Sequence, residues 1–597
     1  MLWLGFALVS SAPASGLPPG VVYCDPLPSS RLVSNRTGLL IRFDRAVAPS
    51  AGLGTSLTVR GSFSGPVPGG IERLENGRLL RFTPQRPWAA GETVTVTLSG
   101  SLLSEPGGGT GRFSYRFEVA SERPVLPAAA RARLQDLPNV EPPPEHRPWP
   151  LTTPADTLPL GFPAIVSSVT GATSPGRIFL ASFPDDRSRD SYLLILDDDG
   201  RPVFYRPMPS PCFDFKAQPN GELTYFNSGT GRFYFLDHRY EAVDSIQCAD
   251  SYLTDPHELR VLPDGHVLLL GDDPEVVDMS GVVPGGRADA VVTGIIVQEL
   301  DGTGAPVFQW RSWDHYQITD ATHEDLTAPT IDYVHANAIE VDADGNLLLS
   351  CRHMDEITKI DRTTGEVLWR WGGKHNQYTF LGDTLAFSHQ HAVRLLQSGD
   401  YVLFDNGNFH NPPFSRAVEY QLDQTAMTAR LVWQYRAAPD IFGGAMGDVQ
   451  RLADGNTLIG WGIGKPDVVE VTPEGRPVLT LSLADGLHSY RAYRLDWATA
   501  DSEAAPLTPP VESLTANRPN PFRRTTDLVV NLTAPGFVSF RVFDLAGREV
   551  ESVIDHAFHN QGIYRARVDL TGRPAGVYYC RLAVGERVMT RAIVLAP

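Results

Sequence analysis

Histidines stand at three places in this chain where a strand should begin. They are His257 in DPHELRVLPDGH, His335 in VHANAIEVDADGNLLLSCR and His391 in SHQHAVRLLQSGDYVLFDNGN. His389 lies two residues before His391, Asn337 two after His335, and Arg352 closes the middle segment. A neutral imidazole can attack an electrophile or carry a proton. A guanidinium presents a fixed fork of donors suited to oxyanions. No carboxylate is expected among them, so the set favours a tetrahedral anion. One imidazole would attack while Arg352 and the other polar groups hold the remaining oxygens. Three histidines meeting at one point could instead hold zinc with a position open to water, which would make a metal-dependent hydrolase. Arg352 would be repelled by a metal and stabilised by an anion, so no metal or other cofactor is expected. A non-catalytic cell-surface binding module is the third reading, but it has no need of histidines in register.

What would bring these side chains together is a repeat. Five segments run from an apolar strand through a turn glycine into a second apolar strand: 213 to 226, 257 to 271, 337 to 352, 391 to 407 and 447 to 462. Their turn glycines are Gly221, Gly265, Gly345, Gly399 and Gly455. Asn-Gly, Asp-Gly and Ser-Gly are hairpin turns. Eight residues before each glycine stand Phe213, His257, Asn337, His391 and Gly447. Six further hairpins, such as YLLILDDDGRPVFYRP and EITKIDRTTGEVLWRWGG, lie between these segments. GRIFLASF supplies a degenerate inner portion for the first, and HSYRAYRLDW supplies a closing strand. Two hairpins make a four-stranded blade, so residues 160–498 read as an all-β, six-bladed propeller. Its innermost strands converge on the axis, which gathers His257, His335, Asn337, His391 and His389 at one end. Strand side chains alternate, so His335 with Asn337, and His389 with His391, should each face one way while the backbone stays extended.

Other residues take plainer readings. His353, His375 and His410 read as loop residues, and Asp264, Asp344 and Asp454 as turn formers. Arg352 has an inter-blade ion pair as its rival role, and Trp369, Trp371, Trp433 and Trp461 read as packing. Five scattered cysteines without a CxxC specify neither disulfides nor a zinc site. A net charge of −18 disfavours a nucleic-acid partner.

The flanks divide readily. Residues 1–19 read as a secretory signal. Residues 20–120 alternate like a sandwich of about seven strands. Residues 121–159 and 499–515 are proline-rich linkers, and 516–597 form a second small β-sandwich. FTPQRPWAAGETVTVTLSG resembles bacterial Ig-like domains, which are usually spacers. PNPF, VFDLAGREV and GVYYCRL resemble the C-terminal sorting domain of type IX secretion cargo, which implies that machinery as a partner and a secreted or cell-surface protein.

Within 160–498, DPHELRVLPDGH, VHANAIEVDADGNLLLSCR, IDRTTGEVLWRWGG and SHQHAVRLLQSGDYVLFDNGN together resemble the nucleotide-independent arylsulfate sulfotransferase family. That resemblance implies a six-bladed propeller. It implies sulfuryl transfer from a phenolic sulfate ester to a phenol, in ping-pong fashion through a sulfohistidine. It implies His391 as nucleophile, His257, His335, Asn337 and Arg352 around the anion, and His257 or His335 as proton carrier. His389 is an extra imidazole that it does not assign. Enteric members carry a disulfide shortly before the nucleophile, and no cysteine lies between Cys351 and Cys580 here.

Overall fold

The computed structural model describes residues 17–47, 52–104, 110–121, 158, 162–184, 191–497, 513–514, 517, 520–532, 536–559, 562–584 and 587–596. Nearly all of the leader and linker readings, 1–19, 121–159 and 499–515, lie outside them. The chain divides into two compact units: Met1–Arg123 with Thr363–Gly365, and the remainder.

The first unit is a two-sheet sandwich. One sheet orders Val21–Asp25, Leu39–Phe43, Leu79–Pro84 and Gly69–Leu74; the other orders Gly65–Pro66, Leu57–Gly61, Thr93–Ser104 and Thr110–Glu118. Alternation along these strands sends Leu39, Ile41, Leu80, Phe82, Val94, Val96 and Phe117 into one core around Trp88. The indole Nε1 donates to the Thr37 carbonyl at 2.7 Å, so the buried polar edge is satisfied. In the second unit, residues 513–596 form another two-sheet arrangement, packed on Leu528, Val538, Phe540, Tyr578 and Leu582.

The described residues of 165–495 form six sheets with a propeller-like order, antiparallel except where the short strands Thr330–Asp332 and Thr379–Leu381 join. Their innermost strands are, in turn, Leu487–Leu495, Cys212–Ala217, Leu253–Val261, Ala336–Val341, His391–Leu395 and Asp448–Arg451. Each packs beside the next, and the sixth lies beside the first, so the ring closes. The expected closing strand, Leu487–Leu495, does pair inside Arg177–Pro184. Ile165–Val169 adds an outer strand to the last sheet. The five turn glycines all have positive φ, between +81° and +97°, as their turns demand.

Apolar faces fill the gaps between sheets. Between the fourth and fifth, Trp371 is fully buried and meets Phe387 edge-on at 5.1 Å and Tyr420 at 5.2 Å. Phe387 directly precedes the bend at Ser388 and His389 that leads into His391, so this contact joins the apolar filling to the site. Charge ties the inner strands on the axis. Arg491 of the first sheet reaches Asp214 of the second at 2.9 Å and Glu258 of the third at 3.0 Å. Glu258 also accepts from Lys216 at 2.5 Å and from Arg394 of the fifth sheet at 2.6 Å. Burial opposes the charge on Glu258, but four surrounding cations, Arg394, Arg491, Lys216 and Arg260, outweigh it and hold the carboxyl well below its ordinary range.

One expectation fails at the strand mouths. His335 has φ +49° and His389 φ +52°, so neither pair runs through extended backbone. Such left-handed residues rarely occur outside glycine and re-aim the side chain. The inner pairings are also bulged, between Thr254 and Leu259, Ala336 and Ala338, and His391 and Arg394. Hence Asn337 and His389 point elsewhere than His335 and His391.

Trp371→Ala should cost about 3–5 kcal/mol, read from denaturant unfolding. A loss below about 1 kcal/mol would show that the aromatic filling does not hold these two sheets together.

Candidate active site

His391 opens its strand and is 1% exposed. Its Nδ1 lies 2.7 Å from Asn406 Oδ1. The Asn406 amide nitrogen donates to the carbonyls of Gly443 at 2.6 Å and Met446 at 2.9 Å. Those two bonds fix which end of the amide is oxygen. Oδ1 can only accept, so Nδ1 of His391 carries the proton and Nε2 keeps its lone pair. Burial first, then the nearby Arg352 and His257, drive the His391 pKa well below the imidazole range. The ring is therefore neutral at ordinary pH.

Each residue of the turn before it is anchored. Ser388 N–H donates to Asp405 Oδ1 at 3.0 Å, and His389 N–H to Asp355 Oδ1 at 2.7 Å. The Gln390 side chain donates to the Glu356 carbonyl at 3.0 Å. Asn337 completes the set: its Nδ2 donates to the Gln390 carbonyl at 2.7 Å and its Oδ1 accepts from Ala392 N–H at 3.2 Å. Both ends of that amide thus serve the backbone around His391.

His257 and His335 pack edge to face, with centroids 4.9 Å apart, and His257 lies 6.4 Å from His391. One ring nitrogen from each of the three lies within 4.8 Å of the others. His257 Nδ1 is held by Asp255 at 2.7 Å and His335 Nδ1 by Asp332 at 2.7 Å. Among the described residues, Nε2 of each has no hydrogen-bond partner. These carboxylates correct the expectation that none would be clustered here. They sit two and three residues ahead of their imidazoles, and the turn at His335 folds Asp332 back onto the ring.

Arg352 begins a short 3-10 turn directly after its strand. Its guanidinium donates to the Gly444 carbonyl at 3.0 Å and contacts His353 Nε2 at 2.7 Å. Among the described residues no carboxylate lies within ion-pair distance of it, and its Nε is buried without a partner. The ion-pair role expected as a rival is absent among these residues. Burial, ahead of the opposing pull of Glu324 and Asp332, lowers its pKa. A cation withdrawn from water in this way is stabilised by an incoming anion.

Three features escape the sequence reading. His353 is buried rather than a free loop residue. Its Nδ1 donates to the Asp332 carbonyl at 2.5 Å, its Nε2 accepts from Arg352, and its ring lies 4.5 Å from His335. His410 is also buried and lies 2.8 Å from Asp405. His389 is buried with both ring nitrogens unpartnered, between His353 at 5.6 Å and Phe409 at 4.9 Å. The sixth sheet adds no side chain at its mouth: Gly447 has φ +99°, and a Cβ there would come within 2.6 Å of the Phe404 ring. As expected, Asp264, Asp344 and Asp454 accept from backbone N–H groups in their turns.

Compared with known proteins, residues 165–501 match the family described as Arylsulfotransferase (ASST). No curated protein matches the chain. Among solved structures, a protein of unknown function from Bacteroides caccae is 15% identical, with a TM-score of 0.34, covering 53% of this chain and 98% of its own. A catalytically inactive virginiamycin B lyase from Staphylococcus aureus, solved with quinupristin, is 6% identical with a TM-score of 0.27, covering 53% and 99%. A putative gluconolactonase is 10% identical with a TM-score of 0.27, covering 64% and 91%. Likenesses this distant identify no activity.

Asn406→Leu keeps the volume and removes the acceptor. It should lower kcat about 10–100-fold with a smaller change in KM and an unchanged circular dichroism spectrum; unaltered kcat would discount the clamp. A pH effect follows as well. Burial, then Arg352, depresses His389 to about 2. Burial, then His335, depresses His353 to about 3. The unfolded chain protonates both near pH 6.5 while the folded one does not, so their contribution to stability is lost as pH falls below about 6.5. The melting temperature should drop between pH 7 and 5, and His389→Leu should make that drop shallower; an equal or steeper drop in the variant would contradict burial in the neutral form.

Proposed function

The chain belongs to the arylsulfotransferase (ASST) family, and from that membership we propose that it carries a sulfuryl group from an aryl sulfate to a phenol through a covalent sulfohistidine at His391. Membership implies an aryl sulfate donor and a phenolic acceptor. In the first half, Nε2 of His391 attacks sulfur; the N–S bond forms as the aryl O–S bond breaks. His257 or His335, entering the step as an imidazolium whose Nδ1–H is held by Asp255 or Asp332, gives the departing oxygen its Nε2 proton. In the second half the acceptor phenol returns a proton to that imidazole as its oxygen takes the sulfuryl group, and His391 is restored. Arg352, with whichever of His257 and His335 is not moving the proton, holds the sulfuryl oxygens as charge shifts among them. Asn337 acts as a positioning residue for 390–392. No nucleotide or metal takes part.

The observation that carries this reading is the Asn406 clamp, which leaves a bare, oriented Nε2 on a buried neutral ring. A phosphoryl or carbonyl centre would be attacked by the same nitrogen; family membership selects sulfur.

The wider organisation follows the same reading. The six sheets are six blades about one axis, supported by the closed ring of inner strands. Residues 20–120 are an Ig-like spacer. The PNPF start and two-sheet form of 516–597 support a type IX sorting domain, and with the leader they make the protein secreted or cell-surface.

One arrangement favours a second reading. Three imidazoles that converge with carboxylates on two of their outer nitrogens also suit zinc, which would make a propeller hydrolase. Arg352 weighs against it, and chelation separates the two: the sulfuryl-transfer reading predicts no loss of activity.

His391→Ala should reduce transfer from 4-nitrophenyl sulfate to phenol by more than about a thousandfold. Brief exposure of the wild type to that donor without acceptor should add one sulfuryl mass to a peptide containing His391. Full turnover in the variant, or an adduct on another residue, would remove the assignment.

A further inference from the structure

The aromatic row does not stop at the three reacting imidazoles. His353 follows His335, His389 follows His353, and Phe409 covers His389. His323 stacks flat on Phe409, with centroids 3.4 Å apart and planes 15° from parallel. Phe409 is 51% exposed despite its size, so this stack presents an aromatic face at the rim. His389 lies beneath it with two unpartnered nitrogens.

A carboxylate stands over this row. Glu324 Oε1 is 3.7 Å from His353 Nε2 and 3.9 Å from His389 Nε2. Neither is a hydrogen bond, and His353 Nε2 has no proton to give because it accepts from Arg352. Among the described residues Glu324 has no hydrogen-bond donor of its own. An aryl ligand whose oxygen sits at His391 and Arg352 would project its far end along this row. Its phenolic end would then meet Arg352 and its far end the Glu324 carboxylate, whose pKa burial raises and the nearby Arg352 pulls back down.

We propose that Glu324 and the Phe409–His323 face, backed by the buried His389, form a distal subsite that selects aryl ligands carrying a protonated amine. The carboxylate supplies the counter-charge, and the aromatic face adds a cation–π attraction. The neutral His389 ring lies buried beneath this face and adds no charge that opposes the ligand's. An anionic tail meets Glu324 directly and is rejected by like charge. The orientation of the ligand rests on the sulfuryl-transfer reading above; the charge preference itself is a matter of binding.

The test uses the full chain and three 4-substituted phenols of similar size: 4-(2-aminoethyl)phenol, 4-ethylphenol and 3-(4-hydroxyphenyl)propanoate. Calorimetric titration should find the amine bound about tenfold or more tighter than the neutral phenol, with the acid weakest. Glu324→Gln keeps the shape and removes the charge. It should cut the amine's advantage to within about threefold while leaving 4-ethylphenol unchanged. Equal binding of amine and acid, or an order that survives Glu324→Gln, overturns the subsite. Sulfuryl transfer from 4-nitrophenyl sulfate is assayed in parallel. Transfer without the charge preference defeats the subsite alone. The binding order without transfer upholds the subsite and defeats the sulfuryl-transfer reading.

Discussion

Arg491 is the tie on which the rest of the ring depends. It sits fully buried on the first sheet's inner strand and reaches acids on the second and third sheets. Its other terminal nitrogen donates to the Asn337 carbonyl of the fourth at 2.7 Å. The side chain of that same Asn337 then grips the backbone on either side of His391 in the fifth. Five sheets are thereby joined through one guanidinium and one amide. A buried ion network of this kind contributes little net stability, because desolvation offsets much of the attraction. What it supplies is position: removing any member strands a charge, so alternative arrangements of the inner strands are costly.

Position is what the chemistry requires. An attacking nitrogen needs a lone pair aimed at its target and a ring that does not turn. Asn406 fixes the proton on the far nitrogen, and the two carbonyls that hold Asn406 fix Asn406 itself. Electrostatics complete the arrangement. Burial keeps His391, His353 and His389 neutral, while Arg352 remains the cation beside them, half withdrawn from water and bonded only to neutral acceptors. The local charge is thus one that an oxyanion relieves. The left-handed residues His335 and His389 show that the backbone is held out of its easy regions to achieve this, a strain that a tightly packed surround can bear.

Much of this was legible before any coordinates. The turn glycines repeat at fixed distance from the strand mouths, so His257, Asn337 and His391 fall into phase along the chain, and the outer hairpins supply the sheet count. The two-residue spacings were less trustworthy. Period-2 reasoning holds only for extended backbone, and no residue type announces the positive φ at His335 or His389. Asp255 and Asp332 carry no periodic signal, although an acid shortly before a candidate imidazole is a cue worth weighing. His353 gains its place by a 3-10 turn after Arg352, and Asn406 by the second strand of the His391 hairpin, whose FDNG segment reads only as a strand end. His323, Glu324 and Phe409 come from loops remote in sequence, and only the closed ring brings them together.

The central claim is that His391 is a neutral imidazole, protonated at Nδ1 and bare at Nε2. Nitrogen-15 NMR of the histidine side chains in the full chain, with His391 assigned by comparison with His391→Gln, tests it directly. The account predicts a protonated Nδ1 and an unprotonated Nε2 from pH 8 down to pH 5, with no imidazolium forming in between. A proton on Nε2, or a titration centred near the ordinary imidazole value, would contradict it.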